Sequence, residues 1–233
     1  MKAAAEFDQF ADAYESSLNQ ALAASGEDQE YFARGRVSFL AGCLRDLQEA
    51  PRCAMDYGCG IGGTTVLLRE LVGTKQVVGL DLSQRSLDRA TKQYGCDGVS
   101  FQTFAQYQPA AHLDLAYCNG VFHHIPIADR ASAAQYIFRS LRPGGLFAFW
   151  ENNPWNPGTR YVMAKCVFDC DAQTISPPRA KRLLRAAGFQ IVRSDFLFYF
   201  PRALKSLRFL ESALTRLPLG GQYQILCRKP ASR

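Results

Sequence analysis

The chain contains no apolar run near the ~20 residues that a helix needs to cross a bilayer. Its first residues turn acidic already at Glu6, too soon for the apolar core of a secretory signal peptide. We therefore expect a cytoplasmic protein.

Residues that bind metals are also few. The chain has 3 histidines and no Cys-x-x-Cys pair, so we expect no metal site. Cys166 and Cys170 have the spacing of one helical face, but further ligands are lacking, and we interpret them as part of a lid segment. The other cysteines are scattered, several within apolar runs, and are predicted to be free thiols.

The charge is unevenly distributed along the 233 residues. The first thirty residues hold seven acids and one lysine, whereas twelve Lys and Arg follow from Arg179 onward with only two acids. A basic C-terminal quarter of this kind attracts phosphate, anionic lipid or nucleic acid. The same charge bias is also typical of an ordinary solvated face. No appended nucleic-acid-binding module is visible, so we expect no nucleic-acid partner.

A glycine-rich turn at 56–63 follows a short apolar run and precedes a helical pattern, in which Thr64 is available as the cap. Gly58, Gly60 and Gly63 satisfy the spacing of a dinucleotide fingerprint, so NAD remains open at this point. Asp56 before the first glycine favours instead a cofactor with an ammonium group. Asp81 ends the next apolar strand, where a carboxylate accepts hydrogen bonds from ribose hydroxyls.

Two further motifs identify a family. The run at 113–126, which contains Asn119 and the pair His123-His124, precedes Leu-Arg-Pro-Gly-Gly-Leu at 141–146. Together with the glycine turn and Asp81, these motifs resemble class I S-adenosylmethionine-dependent methyltransferases of the small-molecule, ubiquinone-biosynthesis type. The resemblance covers residues 50–151 well, and 188–189 and 223–229 more loosely.

The resemblance implies a fold, a cofactor and a set of binding residues. It implies an α/β, Rossmann-like, seven-stranded and mostly parallel sheet, with an antiparallel last strand at 222–228, and S-adenosyl-L-methionine as the cofactor. Many relatives carry an Asp followed by a small residue after the third strand, which this chain replaces by Phe104-Ala105-Gln106. The backbone near Phe104 and Ala105, or the Gln106 amide, is therefore expected to bind the adenine. The cofactor-binding positions are predicted to be Asp56, Gly58, Cys59, Gly60, Gly62, Asp81, Leu82, Phe104, Ala105, Asn119 and Val121.

Four residues are candidates for catalysis. His123 and His124 suit general-base work, since the pKa of histidine lies near neutrality, although one of them could simply hold its loop by hydrogen bonding. Glu151 is expected to emerge from the fifth strand, at 146–150, as a base or substrate anchor. Tyr14 lies in a pattern that resembles the N-terminal cap of related enzymes, which folds over the cofactor. Tyr14 is therefore expected either to contact the cofactor or substrate or only to pack within the cap.

The segments outside the common core are expected to determine the acceptor. We predict a helical cap at 1–48 and a methyltransferase core at 49–233, a single domain overall, with lid insertions at 152–178 and 198–219. Leucines and basic residues at 202–217 predict a basic amphipathic helix that acts as a lid, a dimer contact or a peripheral membrane or lipid contact. The protein is expected to be a monomer or a homodimer.

These observations favour an enzyme that moves a methyl group to O, N or C of a small, apolar or aromatic acceptor of the natural-product, quinone or lipid-intermediate type. Three alternatives remain: an RNA or protein methyltransferase that uses the basic region, an NAD-dependent oxidoreductase, and a non-catalytic cofactor-binding protein.

Overall fold

A seven-stranded sheet forms the centre of the computed structural model, which describes residues 22–166 and 172–231. The strand order is β3-β2-β1-β4-β5-β7-β6, and β7 runs antiparallel to both of its neighbours while β1 to β5 are parallel. This confirms the predicted sheet and its antiparallel last strand. The strands are β1 (Cys53–Tyr57), β2 (Gln76–Asp81), β3 (Val99–Thr103), β4 (Leu113–Asn119), β5 (Leu141–Asn152), β6 (Gln190–Leu197) and β7 (Gln222–Arg228).

Helices cover both faces of this sheet. They are α1 (Gln29–Asp46), α2 (Gly63–Leu67), α3 (Gln84–Tyr94), α4 (Arg130–Ser140), α5 (Pro157–Lys165), α6 (Pro177–Ala186) and α7 (Glu211–Leu214). Short 3-10 helices occupy Ala23–Ser25, Ile127–Asp129 and Arg202–Leu210, and a π-helical turn, Leu68–Val72, continues α2. The predicted Thr64 cap is wrong: Gly62 caps α2 in the left-handed conformation, with no side-chain hydrogen bond.

Both faces of the sheet are buried, as expected for parallel strands between helices. On β5, Phe147 and Phe149 belong to one buried cluster, whereas Ala148 and Trp150 belong to the other. The second cluster includes apolar residues of α1. This packing fixes the ends of β4, β5 and β7, from which the residues of the candidate site project.

The segment 202–217 does not form the predicted amphipathic α-helix. It is a 3-10 helix with a non-helical residue at Leu204, followed by the single turn α7, and none of its helical residues is buried. Its side chains hold it to other parts of the chain: Glu211 accepts hydrogen bonds from the Tyr199 and Phe200 amides, at 3.1 and 3.0 Å. These bonds hold the segment to the chain before it, and the non-helical backbone at Leu204 interrupts the helix.

Several predictions fall on residues that the structure does not describe. Tyr14 lies within 1–21, the undescribed part of the predicted cap at 1–48, and Cys170 lies within 167–171. Within the described ranges, no helix is both long and apolar enough to span a membrane. The same residues contain no group of three His, Cys, Asp or Glu side chains that could hold a metal ion.

Candidate active site

The glycine turn lies at the carboxyl end of β1 and is bonded to β2. The amides of Gly58 and Cys59 donate to the carbonyl oxygen of Leu80, at 2.7 and 3.0 Å. Gly58 has φ of 76°, and a Cβ there would lie 2.3 Å from the Val121 side chain. This glycine is therefore required both by its backbone conformation and by Val121, which packs directly over the turn.

Gly60 and Asp81 form the next part of the site. The Gly60 amide donates to Asp81 Oδ2 at 2.8 Å, and the Ser83 amide donates to Oδ1 at 3.0 Å. These bonds fix the carboxylate at the tip of β2 beside the turn. A Cβ on Gly60 would meet nothing within 4 Å, so open space lies next to this backbone. Leu82 follows, with half of its surface exposed.

Asp56 lies beneath the same turn and is 2% exposed. Its Oδ2 accepts a hydrogen bond of 2.7 Å from Thr65 Oγ1. Burial raises the pKa of Asp56 to about 7, the Thr65 hydrogen bond lowers it, the neighbouring charge of Asp81 raises it, and the charge of Arg36 lowers it. A cation placed beside this carboxyl would favour its ionised form.

Phe104 and Gln106, which follow β3, make contacts within the protein. Phe104 packs against Tyr57, with ring centroids 4.6 Å apart, and its carbonyl accepts from the Tyr136 hydroxyl. Gln106 folds back, because its Oε1 accepts from the amide and the hydroxyl of Thr103. The side-chain carbonyl of Gln106 and the backbone carbonyl of Phe104 are thus both engaged within the protein.

A cavity of about 460 Å³ opens beyond the carboxyl ends of β4 and β5 and the start of β7. Asn119, Gly120, His123 and His124 line it from the loop after β4. The two predicted lid insertions contribute to its wall, and so does α1. Wall residues include Tyr31, Phe32, Tyr161, Val162, Met163, Phe198, Tyr199 and Phe200.

His123 and Glu151 form a buried pair at this cavity. His123 Nδ1 lies 2.6 Å from Glu151 Oε2, with side-chain exposures of 3% and 1%. The His123 amide also donates to Glu151 Oε1, at 3.3 Å. The expectation that Glu151 emerges from the strand is wrong: β5 extends to Asn152, so Glu151 lies inside it. His123 lines the cavity, and Glu151 supports it from behind.

Further bonds hold the His123 loop in place. The Gln173 amide donates to the His123 carbonyl at 2.8 Å, and Arg130 donates to the carbonyls of Ile125 and Gln173. The His124 ring lies 4.2 Å from the His123 ring, centroid to centroid, and also lines the cavity. Both predicted histidines are thus brought to the same place.

Arg36 lines the cavity and was not among the residues predicted from the sequence. It belongs to α1 and is 5% exposed. Its Nε donates to the Tyr117 hydroxyl at 3.1 Å, and its Nη1 donates to Gln222 Oε1 at 2.9 Å. Both partners are neutral, so no carboxylate among the described residues pairs with this guanidinium. One signal was available: Arg36 interrupts the apolar stripe of α1, and a buried arginine requires partners.

The two insertions are bonded to each other. Asn153, fully buried, donates to the carbonyls of Pro218 and Gly220. The hydroxyl of Thr159 donates to the Gly221 carbonyl at 2.7 Å. Residues from both segments therefore form one continuous wall of the cavity.

Comparison with known proteins agrees with this geometry. Residues 54–145 match the family model described as a methyltransferase domain. The chain is 32% identical over 146 residues to trans-aconitate 2-methyltransferase of Methylobacterium radiotolerans, covering 60% of this chain and 55% of that protein. It is 37% identical over 128 residues to the Azoarcus protein of the same name, covering 52% and 49%. The chain thus spans about half the length of the curated relatives it matches.

Solved structures share the fold. A methyltransferase dependent on S-adenosylmethionine from Mesorhizobium loti aligns with a TM-score of 0.59 at 21% identity, over 80% of this chain and 96% of that chain. Geranyl diphosphate C-methyltransferase of Streptomyces coelicolor, solved with Mg²⁺, geranyl diphosphate and S-adenosylhomocysteine, aligns with a TM-score of 0.59 at 19% identity, over 82% and 80%. These likenesses confirm the Rossmann-like fold and give no support to the oxidoreductase alternative.

Proposed function

We propose that this chain, which belongs to the class I S-adenosylmethionine-dependent methyltransferase family, transfers a methyl group to a small organic acceptor bound in the 460 Å³ cavity. The observation that carries this proposal is the position of the cavity. It opens at Asn119, Gly120 and the two histidines, at the end of the strand next to the one that bears the glycine turn. Ligands of open α/β sheets bind at this edge.

The residues of the turn fit S-adenosylmethionine. Asp56 supplies a carboxyl group for its ammonium, and Arg36 supplies an unneutralised guanidinium for its carboxylate, so the two residues together suit an α-amino acid. Asp81 suits the ribose hydroxyls. When bound, the cofactor supplies an electrophilic methyl group on a sulfonium sulfur. The chain's own residues orient donor and acceptor and keep water away from them.

The remaining predicted contacts complete the proposed cofactor site. The open space at Gly60 allows close approach of a ligand to the backbone. Cys59 and Gly62 shape the turn, Leu82 covers the nucleoside side, the backbone of Phe104 and Ala105 faces the adenine, and Asn119 and Val121 line the side of β4.

The wall residues favour an apolar or aromatic acceptor over a polycarboxylate. The described cavity lining has two cationic side chains apart from histidine, Arg36 and Arg208. Arg208 is paired with Glu27 at 3.0 Å, and Arg36 is assigned above to the cofactor. No arginine or lysine of the described lining is left for an acceptor carboxylate. We therefore propose an apolar or aromatic acceptor for this chain, whereas relatives are named trans-aconitate 2-methyltransferase.

The 202–217 segment is proposed as a wall of this cavity. Arg208 lies over the Tyr31 ring, 4.7 Å from its centroid, and its Nε donates to the Phe200 carbonyl. These contacts hold the segment against the start of α1 and favour the lid interpretation over a membrane contact.

Calorimetric titration with S-adenosylhomocysteine and, separately, with NAD tests the proposed function. We expect S-adenosylhomocysteine to bind and NAD not to bind. Asp81→Asn should weaken the binding of S-adenosylhomocysteine about tenfold or more, because it replaces a charged acceptor of hydrogen bonds by a neutral one. Asp97→Asn, an exposed carboxylate away from the turn, is the matched control. Binding of NAD alone would refute the proposal.

A further inference from the structure

We infer that the acceptor is an aromatic compound methylated on a ring hydroxyl, with His123 as the general base and Glu151 as the residue that positions it. This inference rests on the proposed function and adds the atom that is methylated and the roles of the two side chains. Two independent observations carry it, the buried pair and the aromatic wall.

The pair has the geometry of an oriented base. The Glu151 carboxylate contacts the ring Nδ1 of His123 and accepts a hydrogen bond from the His123 backbone amide. These two contacts fix the position and the plane of the imidazole. Because Nδ1 is engaged with the carboxylate, Nε2 is the ring nitrogen that we assign to proton transfer with an acceptor. The carboxylate also stabilises the imidazolium that forms when Nε2 takes a proton.

A hydroxyl acceptor is the class that needs such a pair. A carboxylate acceptor is already ionised at neutral pH, and an aromatic amine already carries its lone pair, so neither requires a base before it attacks. A phenol has a pKa near that of tyrosine, about 10, and becomes a good nucleophile when its proton is removed. Of the two arginines in the described cavity lining, Arg208 is paired with Glu27 and Arg36 is proposed to bind the cofactor.

The wall supplies a site for a flat ring. Phe198 and Phe32 pack edge to face with ring centroids 4.9 Å apart, and Tyr31 lies 5.3 Å from Phe32. Phe198 holds φ of 63°, a left-handed conformation that is costly for a large side chain. Its ring lies over α1, where a Cβ on Gly35 would come within 2.8 Å of it. The Phe198 ring thus packs on α1 and also lines the cavity.

The proposed methyl transfer breaks two bonds and forms two. The O–H bond of the acceptor breaks, and its proton moves to His123 Nε2. An electron pair of the oxygen forms the new bond to the methyl carbon, while the carbon–sulfur bond of the donor breaks with its pair remaining on sulfur. The products are an aryl methyl ether, the neutral thioether and imidazolium, which then releases the proton to water.

Three candidate acceptors that share a naphthalene ring test the inference: dihydroxynaphthalene, diaminonaphthalene and naphthoate. Each is incubated with the full chain and S-adenosylmethionine, and the products are identified by mass spectrometry. We expect the O-methyl ether to be the main product. A preferred amine or ester product would overturn the inference, and so would the absence of any product when S-adenosylhomocysteine binds. If S-adenosylhomocysteine does not bind, the proposed function itself fails.

Substitutions of His123 and Glu151 test their roles, with dihydroxynaphthalene as the acceptor. His123→Asn should lower kcat at neutral pH by about a hundredfold or more, with the loss recovering as the pH approaches the ionisation of the phenol itself. Glu151→Gln should lower kcat by about tenfold, with KM changed less, and Glu151→Asp should restore part of it. His112→Asn, an exposed histidine, is the control.

Thermal unfolding and S-adenosylhomocysteine affinity are measured for each variant, so that a folding defect is recognised. If His123→Asn lowers kcat by the same factor at every pH, His123 has a purely structural role, and its assignment as the general base is overturned. Unchanged kcat in Glu151→Gln would overturn its positioning role.

Discussion

Replacing Asp56 by asparagine should change how the stability of the unliganded protein depends on pH. Asp56 is almost fully buried, and its pKa is raised from 3.8 to about 7 in the folded protein. Between these values the unfolded chain releases a proton that the folded chain retains. The contribution of this group to stability is therefore complete below pH 3.8 and is lost as the pH rises through 7.

The size of this change in stability follows from the two pKa values of Asp56, 3.8 in the unfolded chain and about 7 in the folded protein. The full difference corresponds to about 4 kcal/mol, of which about 3 kcal/mol is lost between about pH 5 and about pH 8. Urea unfolding followed by tryptophan fluorescence at several pH values measures it. We expect the wild-type protein to lose about 3 kcal/mol relative to Asp56→Asn over this range, and Asp97→Asn to behave like the wild type. Parallel stability curves for wild type and Asp56→Asn would refute the reasoning.

The same ionisation should affect binding of the cofactor. If the ammonium group binds the ionised form of Asp56, binding releases a proton below pH 7, and the affinity for S-adenosylhomocysteine rises by up to about tenfold per pH unit there. Calorimetry in buffers of different ionisation enthalpy detects the released proton. Asp56→Asn should bind more weakly and without this pH dependence, whereas an unchanged slope would show that another group is responsible.

Three other substitutions separate folding from binding. Gly62→Ala should lower stability by about 2 kcal/mol or more, because the residue has φ of +85° and its Cβ would lie 2.7 Å from the Phe101 ring; chemical denaturation measures it. Gly60→Ala should cost only about 1 kcal/mol of stability, since its Cβ meets no neighbour, yet weaken S-adenosylhomocysteine binding about tenfold or more by calorimetry. Arg208→Gln removes the pair with Glu27 and should speed proteolysis within 198–219 while leaving S-adenosylhomocysteine affinity unchanged.

The cofactor half of the molecule could be predicted from the sequence because its constraints are local. A strand, a glycine turn and a helix stand next to one another in the chain, so Gly58 and Gly60 are identified by spacing alone. The last strand at 222–228 followed from the resemblance and agrees with the structure. Asp81 ends β2, as predicted, and lies beside the glycine turn because the carboxyl ends of parallel strands share one edge. Its role toward the ribose stays a prediction.

The pairing of His123 with Glu151 could not be predicted in the same way. The two residues are 28 positions apart, and their contact depends on the register of β4 against β5, in which Asn119 stands beside Trp150. The sequence therefore presented them as rival bases, whereas the fold makes them partners. Similarly, 202–217 has an amphipathic pattern, but contacts of Arg208 and Glu211 with distant residues override its helical propensity.

The arrangement of the two insertions indicates where acceptor specificity can change. Asn153 and Thr159 bind the backbone around 218–221, so the wall is held by main-chain acceptors whose positions do not depend on the side chains that face the cavity. Substitutions at cavity-facing positions such as Met163 and Phe198 therefore alter the shape of the acceptor site while these bonds persist. The glycine turn lacks this freedom, because Val121 and Phe101 already fill the space beside Gly58 and Gly62. Changes of acceptor should thus arise in the wall, with the cofactor edge left intact.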